Sequence, residues 1–173
     1  MNKLKALVFY QYLPPWRIDV FNEMGKYYDM TIAFTDADSE GFTYNRKELL
    51  EKLENIKVLF LTKGFRIGNR PVRLGIFNLI KKIDPDVIFS HEYSYTSILV
   101  ALYKQMGLFH YNYYLTTSDN LKIPVISGKH KHLFILLRRL RQSVKFSLLD
   151  PAGDQIISSA FRSTFGEHRS FNL

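Results

Sequence analysis

Residues 4–13, LKALVFYQYL, begin the stretch of the sequence that decides the fold. This run of large apolar and aromatic residues predicts a strand that is buried on both faces. A Pro-Pro pair ends the run. Over residues 16–28 the apolar residues then recur at spacings of three and four, as on the buried face of a short helix. Residues 29–35, DMTIAFT, predict a second strand, so the chain opens with a β-α-β unit.

The same alternation of strands and helices continues along the chain. Further strands are predicted at 56–62, 87–90, 109–117 and 155–158, helices at 72–83, 95–106 and 132–149, and a basic loop at 63–71. Strands that alternate with helices at this spacing form parallel sheets, because each helix carries the chain back to the starting edge. We therefore predict an α/β fold with a Rossmann-like, mostly parallel sheet and helices on both faces.

Length and composition exclude several classes of protein. The chain has 173 residues, 46% of them hydrophobic and 23% charged, which fits one globular domain spanning residues 1–173. The sequence has no cysteine, so disulfides and thiolate metal sites are excluded, and we expect no metal. No apolar run approaches the ~18 residues of a membrane helix. We expect a cytoplasmic protein, peripheral on the inner face of the membrane.

Polar side chains follow three of the predicted strands. Parallel sheets bind ligands at the carboxyl ends of their strands, so these residues are the candidate site. The candidates for substrate binding are Trp16, Arg17, His91, Glu92, Ser118 and Asn120, and Asp119 is the candidate catalytic base. Arginine suits an anion, and the remaining groups suit sugar hydroxyls. Each cluster is equally compatible with turns and helix caps, for which Ser-Asp-Asn is also suited.

The positive charge of the sequence is concentrated in one segment. The whole chain has 24 Lys and Arg against 16 Asp and Glu. Residues 121–149 contain seven basic residues and no acidic one, which leaves 17 basic against 16 acidic elsewhere. The candidates for binding to an anionic membrane are Lys129, Lys131, Arg138, Arg141 and Lys145. A basic amphipathic helix can lie on such a surface, but it can equally be an ordinary surface helix that packs its leucines on the sheet.

Several short motifs resemble one family in their order and spacing. They are the first strand, Pro15-x-Arg17 leading to Phe21, Tyr28-Asp29 before the second strand, Pro85-Asp86-Val87-Ile88 with Glu92 after it, and Thr117-Ser118-Asp119-Asn120. Over residues 4–162 the sequence resembles the N-terminal half of a glycosyltransferase with the GT-B fold, in particular glycosyltransferase family 4. The resemblance implies a hexosyltransferase-like enzyme of glycan biosynthesis.

The resemblance also implies roles for the two halves of such an enzyme. The N-terminal domain receives a saccharide or lipid-linked acceptor, and the C-terminal domain holds a nucleotide-sugar, which is a co-substrate rather than a cofactor. It implies that Arg17 lies near the donor phosphates and that Glu92 and Asp119 line the acceptor side. Membrane docking through a basic face of this domain is also implied. This sequence has Thr-Ser-Asp where many members have a histidine, and it lacks their glycine-rich first loop.

The length of the chain leads to two competing interpretations. We expect that the C-terminal donor-binding domain is absent and that the isolated chain is an inactive half of a transferase. The alternative is a non-catalytic α/β binding module that uses its basic patch for phosphate, membrane or nucleic acid. The sequence has no recognised nucleic-acid-binding motif, which argues against nucleic acid as a partner.

Overall fold

The computed structural model describes residues 2–36, 44–67, 70–91, 94–117 and 145–148. The strands are β1 (Leu4–Tyr10), β2 (Tyr28–Phe34), β3 (Lys57–Phe60), β4 (Gly64–Ile67), β5 (Arg70–Arg73), β6 (Val87–His91), β7 (Asn112–Thr117) and β8 (Lys145–Leu148). The helices are α1 (Ile18–Tyr27), α2 (Arg46–Glu51), α3 (Ile76–Ile83) and α4 (Tyr95–Gln105), and a 3-10 turn, Pro15–Arg17, precedes α1.

Six of the strands form one parallel sheet in the order β3-β2-β1-β6-β7-β8. The chain moves outward from β1 to β3, and it returns to the other side of β1 at β6. This reversal creates a topological switch point between β1 and β6, where open α/β sheets bind their ligands. The predicted α/β, Rossmann-like sheet is confirmed.

Helices cover both faces of the sheet, and the alternation of side chains along β1 shows why. Leu7 and Phe9 point to the face that α3 and α4 cover, whereas Ala6 and Val8 point to the face that α1 and α2 cover. All four residues are buried. A central strand that is buried on both sides must be apolar at every position, and this accounts for the unbroken apolar run in the sequence.

The sequence-based prediction of a helix over 132–149 is wrong at its end. Residues Lys145–Leu148 form strand β8, which pairs in parallel with β7, and Lys145 lies opposite Tyr114. Lys145 therefore does not belong to the predicted basic amphipathic helix. Four residues are too few for periodicity to distinguish strand from helix, and pairing with the exposed edge of β7 decided the outcome. The predicted strand at 155–158 lies outside the described residues.

The predicted basic loop at 63–71 is also wrong. Strands β4 and β5 pair antiparallel as a hairpin, with Phe65 opposite Val72 and Arg66 opposite Pro71. The hairpin is inserted between β3 and α3, and β5 packs against α4. Four-residue strands with a proline and two glycines nearby show little periodicity, so the sequence alone favoured a loop.

Within the described residues, no helix has both the length and the apolar character that crossing a membrane requires.

Gly64 allows the two hairpin strands to approach each other. Its φ is +147°, and a Cβ at this position would lie 2.1 Å from the carbonyl oxygen of Val72. Gly107 has a φ of +68°, and a Cβ there would meet no atom within 4 Å.

We expect Gly107→Ala to lower the free energy of unfolding by about 1–2 kcal/mol through backbone strain alone. Gly64→Ala adds a clash and should cost more, which urea denaturation of both variants measures. Equal losses of the free energy of unfolding in the two variants would contradict the close approach of the two hairpin strands at Gly64.

Two buried tyrosines make the free energy of unfolding depend on pH in the alkaline range. Burial raises the pKa of Tyr111 and of Tyr113, whose hydroxyls donate hydrogen bonds to the carbonyls of Val100 and Ser97. Unfolded tyrosines lose their protons near pH 10, whereas the folded chain keeps them, so the unfolded state binds fewer protons. The free energy of unfolding should therefore fall as the pH rises above about 10.

Urea denaturation at about pH 8 and about pH 11 tests this dependence, since tyrosine ionises between the two. The pH-dependent loss should shrink in the Tyr111→Phe/Tyr113→Phe variant and persist in Tyr27→Phe, which changes an exposed tyrosine. An unchanged loss in the double variant would exclude these two hydroxyls as the cause.

Candidate functional site at the switch point

A small cavity lies at the carboxyl ends of β1 and β6. Its volume is about 120 Å³. The cavity is lined by Phe9, Tyr10, Gln11, Thr35, Pro71, His91, Ser94 and Thr96. These residues come from β1, the end of β2, the hairpin, β6 and the start of α4, so elements distant in sequence meet at one point. This is the position that sheet topology predicts for a ligand.

His91 is held in place by an aromatic neighbour. Phe9 pairs with Ser90 across β1 and β6, which makes Tyr10 and His91 the next neighbours along the two strands. Their rings stack with centroids 4.2 Å apart and an interplanar angle of 10°. Tyr10 also contacts Phe21 of α1 edge to face, at 5.5 Å between centroids. The imidazole is thus oriented by packing beside the cavity, with its Nδ1 buried.

The N-terminus of α4 supplies a second set of polar groups. Ser94 caps this helix, because its hydroxyl accepts a hydrogen bond from the backbone N–H of Ser97 at 3.1 Å. Ser94 and Thr96 both line the cavity. The start of a helix carries a partial positive charge and unpaired N–H groups, which favour an anion or an electron-rich oxygen.

The hairpin forms one wall of the cavity and is tied to the sheet by two arginines. Asp36 follows β2, and its carboxylate lies 3.1 Å from Nη1 of Arg66 and 3.4 Å from Nη2 of Arg73. Arg73 also donates from Nε to the carbonyl of Thr35 and from Nη1 to the carbonyl of Thr62 at 3.3 Å. These contacts hold Pro71, which lines the cavity, over the end of β2.

The structure brings only part of the predicted site into this cavity. His91 lines it. Trp16 and Arg17 lie at the same edge, in the 3-10 turn after β1, but do not line the cavity. Trp16 is 59% exposed, and Nε of Arg17 is buried with no hydrogen-bond partner within the described ranges.

Most of the other predicted site residues lie in parts of the chain that the structure does not describe. Glu92, Ser118, Asp119 and Asn120 lie outside the described residues, as do Lys129, Lys131, Arg138 and Arg141. Their roles stay predictions. Among the residues that the structure describes, no group of three or more His, Asp or Glu side chains could hold a metal ion.

Sequence reasoning missed Thr35, Thr96 and the pair of Asp36 with Arg73. Thr35 and Asp36 directly follow β2, so the rule that ligands gather at strand ends could have found them. Arg73 had no such signal, because its partner is 37 residues away along the chain and the hairpin between them was not predicted.

Comparisons with known proteins add little beyond the fold. No protein-family model matches the sequence, and no curated protein matches it. The similar solved structures include that of a Listeria monocytogenes protein described as a putative UDP-N-acetylglucosamine 2-epimerase, with 15% identity and a TM-score of 0.48. The likeness covers 94% of this chain and 43% of that protein, so this chain spans less than half of its length. No activity is assigned to this chain from that likeness.

The two arginines that bind Asp36 should differ in their effect on stability. Arg73 is 9% exposed, so Arg73→Met removes one of the two arginines on Asp36 and leaves the carbonyls of Thr35 and Thr62 without this donor at a largely buried site. We expect a loss of about 3–5 kcal/mol in the free energy of unfolding. The Arg66 side chain is 37% exposed, and Arg66→Met should cost about 1 kcal/mol or less. Thermal and urea unfolding of the two variants measure the difference, and a larger effect at Arg66 would contradict the arrangement.

Proposed function

We propose that this chain is the acceptor-side domain of a nucleotide-sugar-dependent glycosyltransferase and that the switch-point cavity binds a sugar or sugar-phosphate group. The observation that carries the proposal is the convergence of His91, Ser94 and Thr96 on one small cavity at the carboxyl end of the sheet. Hydroxyls, an imidazole and a helix N-terminus together suit hydroxyl-rich or phosphorylated ligands.

The size of the cavity limits what it can enclose. Pockets for drug-sized ligands usually measure about 300–1,000 Å³. A cavity of about 120 Å³ accommodates a phosphate or part of a sugar ring, but not a whole nucleotide. This supports the division of labour that the resemblance implies, in which the nucleotide of the donor binds to a second domain. Asp119 remains the proposed catalytic base.

A non-catalytic phosphate-binding module is the second candidate. It is favoured by the charges around the cavity, because Arg17, Lys63 and Arg66 lie at the carboxyl edge. Asp36 follows β2 at the same edge, and it is engaged by two arginines. A cavity of this kind can hold an anion without any chemistry.

Ligand binding tests the proposal and separates the two candidates. Calorimetry with a hexose 1-phosphate, the free hexose, UDP-glucose and inorganic phosphate should show millimolar binding of the hexose phosphate, about −4 kcal/mol. We expect His91→Ala to weaken it roughly tenfold or more, because one hydrogen bond to a charged group is lost. The matched control is His110→Ala, an exposed histidine before β7 at the opposite edge of the sheet.

The pattern of affinities decides between the candidates. Tighter binding of the hexose phosphate than of phosphate supports a sugar site, whereas equal binding of both would favour the phosphate module. Tight binding of UDP-glucose to this chain would contradict the acceptor-side assignment. If His91→Ala and His110→Ala weaken hexose phosphate binding equally, the cavity is not the binding site.

A further inference from the structure

One face of the β4–β5 hairpin carries two arginines beside the cavity. Arg66 pairs directly with Pro71 across the two strands, and residues that are opposite in an antiparallel pair share a face. Arg73 comes two residues after Pro71, so it lies on this face as well. Pro71 lines the cavity, which shows that this is the face turned toward the candidate site. We call Arg66 and Arg73 the arginine pair.

A carboxylate of the protein itself lies between these two arginines. Oδ2 of Asp36 accepts a hydrogen bond from Nη1 of Arg66 at 3.1 Å, and Oδ1 accepts one from Nη2 of Arg73 at 3.4 Å. Both distances are longer than the roughly 2.7–2.9 Å of a strong charge-assisted hydrogen bond. A tetrahedral phosphate has more acceptor oxygens, spread in three dimensions, and therefore suits two guanidinium groups better than one planar carboxylate does.

Asp36 lies directly beside the lining of the cavity. Its backbone N–H donates to the carbonyl of Gln11 at 2.6 Å, and both Gln11 and the preceding residue, Thr35, line the cavity. The Asp36 side chain is 18% exposed, so water reaches the carboxylate. A phosphate at this end of the cavity and the Asp36 carboxylate would thus meet the same two positive charges.

The two arginines differ in what else holds them. Arg73 is largely buried and also donates hydrogen bonds to the backbone carbonyls of Thr35 and Thr62. These two bonds do not involve Asp36, so they hold the Arg73 guanidinium, and with it the hairpin, independently of the carboxylate. The Arg66 side chain is more exposed, and it can turn toward a ligand without unpacking the core.

We propose that Asp36 takes the place of the ligand's phosphate on the arginine pair and that a phosphate entering the cavity displaces it. The protein thereby competes with its own ligand, which lowers the affinity of the site. Binding also changes what holds Arg66, so it acts on the hairpin that forms one wall of the cavity. The inference rests on the proposed function for the sugar that carries the phosphate, whereas inorganic phosphate alone tests the arginine pair.

A purely structural role for Asp36 leads to the opposite expectation. If the carboxylate only anchors the hairpin, Asp36→Asn loosens a wall of the cavity and weakens binding. If the carboxylate competes with the ligand, the same substitution releases both guanidinium groups and strengthens binding. The direction of the change in affinity therefore separates the two roles.

Calorimetry of the full chain with inorganic phosphate and with a hexose 1-phosphate tests the proposal. We expect Asp36→Asn to bind both ligands roughly tenfold more tightly at low salt, with a smaller gain at high salt, because a competing charge is removed. Asp36→Glu keeps the charge and should show no such gain. Arg66→Met should weaken binding roughly tenfold, since a hydrogen bond to a charged group is lost. Asp36→Asn/Arg66→Met should lose most of the gain.

Two matched controls separate these effects from a general change in charge. Asp29→Asn removes the same negative charge from an exposed ion pair with Lys57, at the opposite edge of the sheet. Lys81→Met removes a positive charge from the last turn of α3. Both variants should bind phosphate like the unchanged protein. Urea denaturation shows which variants fold, and Arg66→Met decides alone if Asp36→Asn does not.

Several results would overturn the proposal. They are weaker or unchanged phosphate binding by a folded Asp36→Asn variant, an equal gain in Asp29→Asn, and unchanged binding by Arg66→Met. Hexose phosphate binding that depends on His91 but not on Asp36 or Arg66 would reject this inference and leave the proposed function standing. The expected changes with inorganic phosphate, without any hexose phosphate binding that depends on His91, would retain the arginine pair and reject the proposed function.

Discussion

The parallel pairing of β1 with β2 on one side and β6 on the other is the constraint on which the rest of the structure depends. Because β1 has neighbours on both edges and helices over both faces, every one of its central side chains must be apolar. The chain runs from β1 to β2 and β3 on one side and returns on the other side of β1 at β6. The helices that follow β1 and β6 therefore lie on opposite faces of the sheet. The opening between them is where the cavity lies.

The hairpin changes what this opening can do. A simple loop after β3 would leave the end of β2 open to solvent, whereas β5 packs against α4 and places Pro71 over the cavity. A two-stranded hairpin alone is at best marginally stable, so its position requires an anchor. Asp36 and Arg73 provide it at a largely buried site, where an ion pair with several hydrogen bonds fixes geometry more than it adds stability. On the hairpin's other face, Phe65 and Ile67 are exposed among the residues that the structure describes.

The candidate site was predictable in position but only partly in composition. His91 was predictable, because it ends a buried strand and lies next to the first strand in the sheet. Tyr10 reads as a core residue from the sequence, yet its ring forms the surface on which His91 stacks. Thr96 lies on the first turn of α4 and reads as a helix residue, although it also lines the cavity. Such residues are identified only by which elements meet in space.

The sequence by itself determined the fold class and indicated the edge of the sheet where the candidate site lies, because strand and helix periodicity are local properties of about 5 to 12 residues. It did not determine the hairpin, the contact of Asp36 with Arg73 or strand β8. The last two depend on contacts between segments tens of residues apart, as with Leu115 of β7 and Phe146 of β8. The hairpin pairs neighbouring segments, but its strands are too short to show periodicity. Short segments of four residues have no strong conformation of their own, so the surrounding tertiary structure decided whether they became strand, helix or loop.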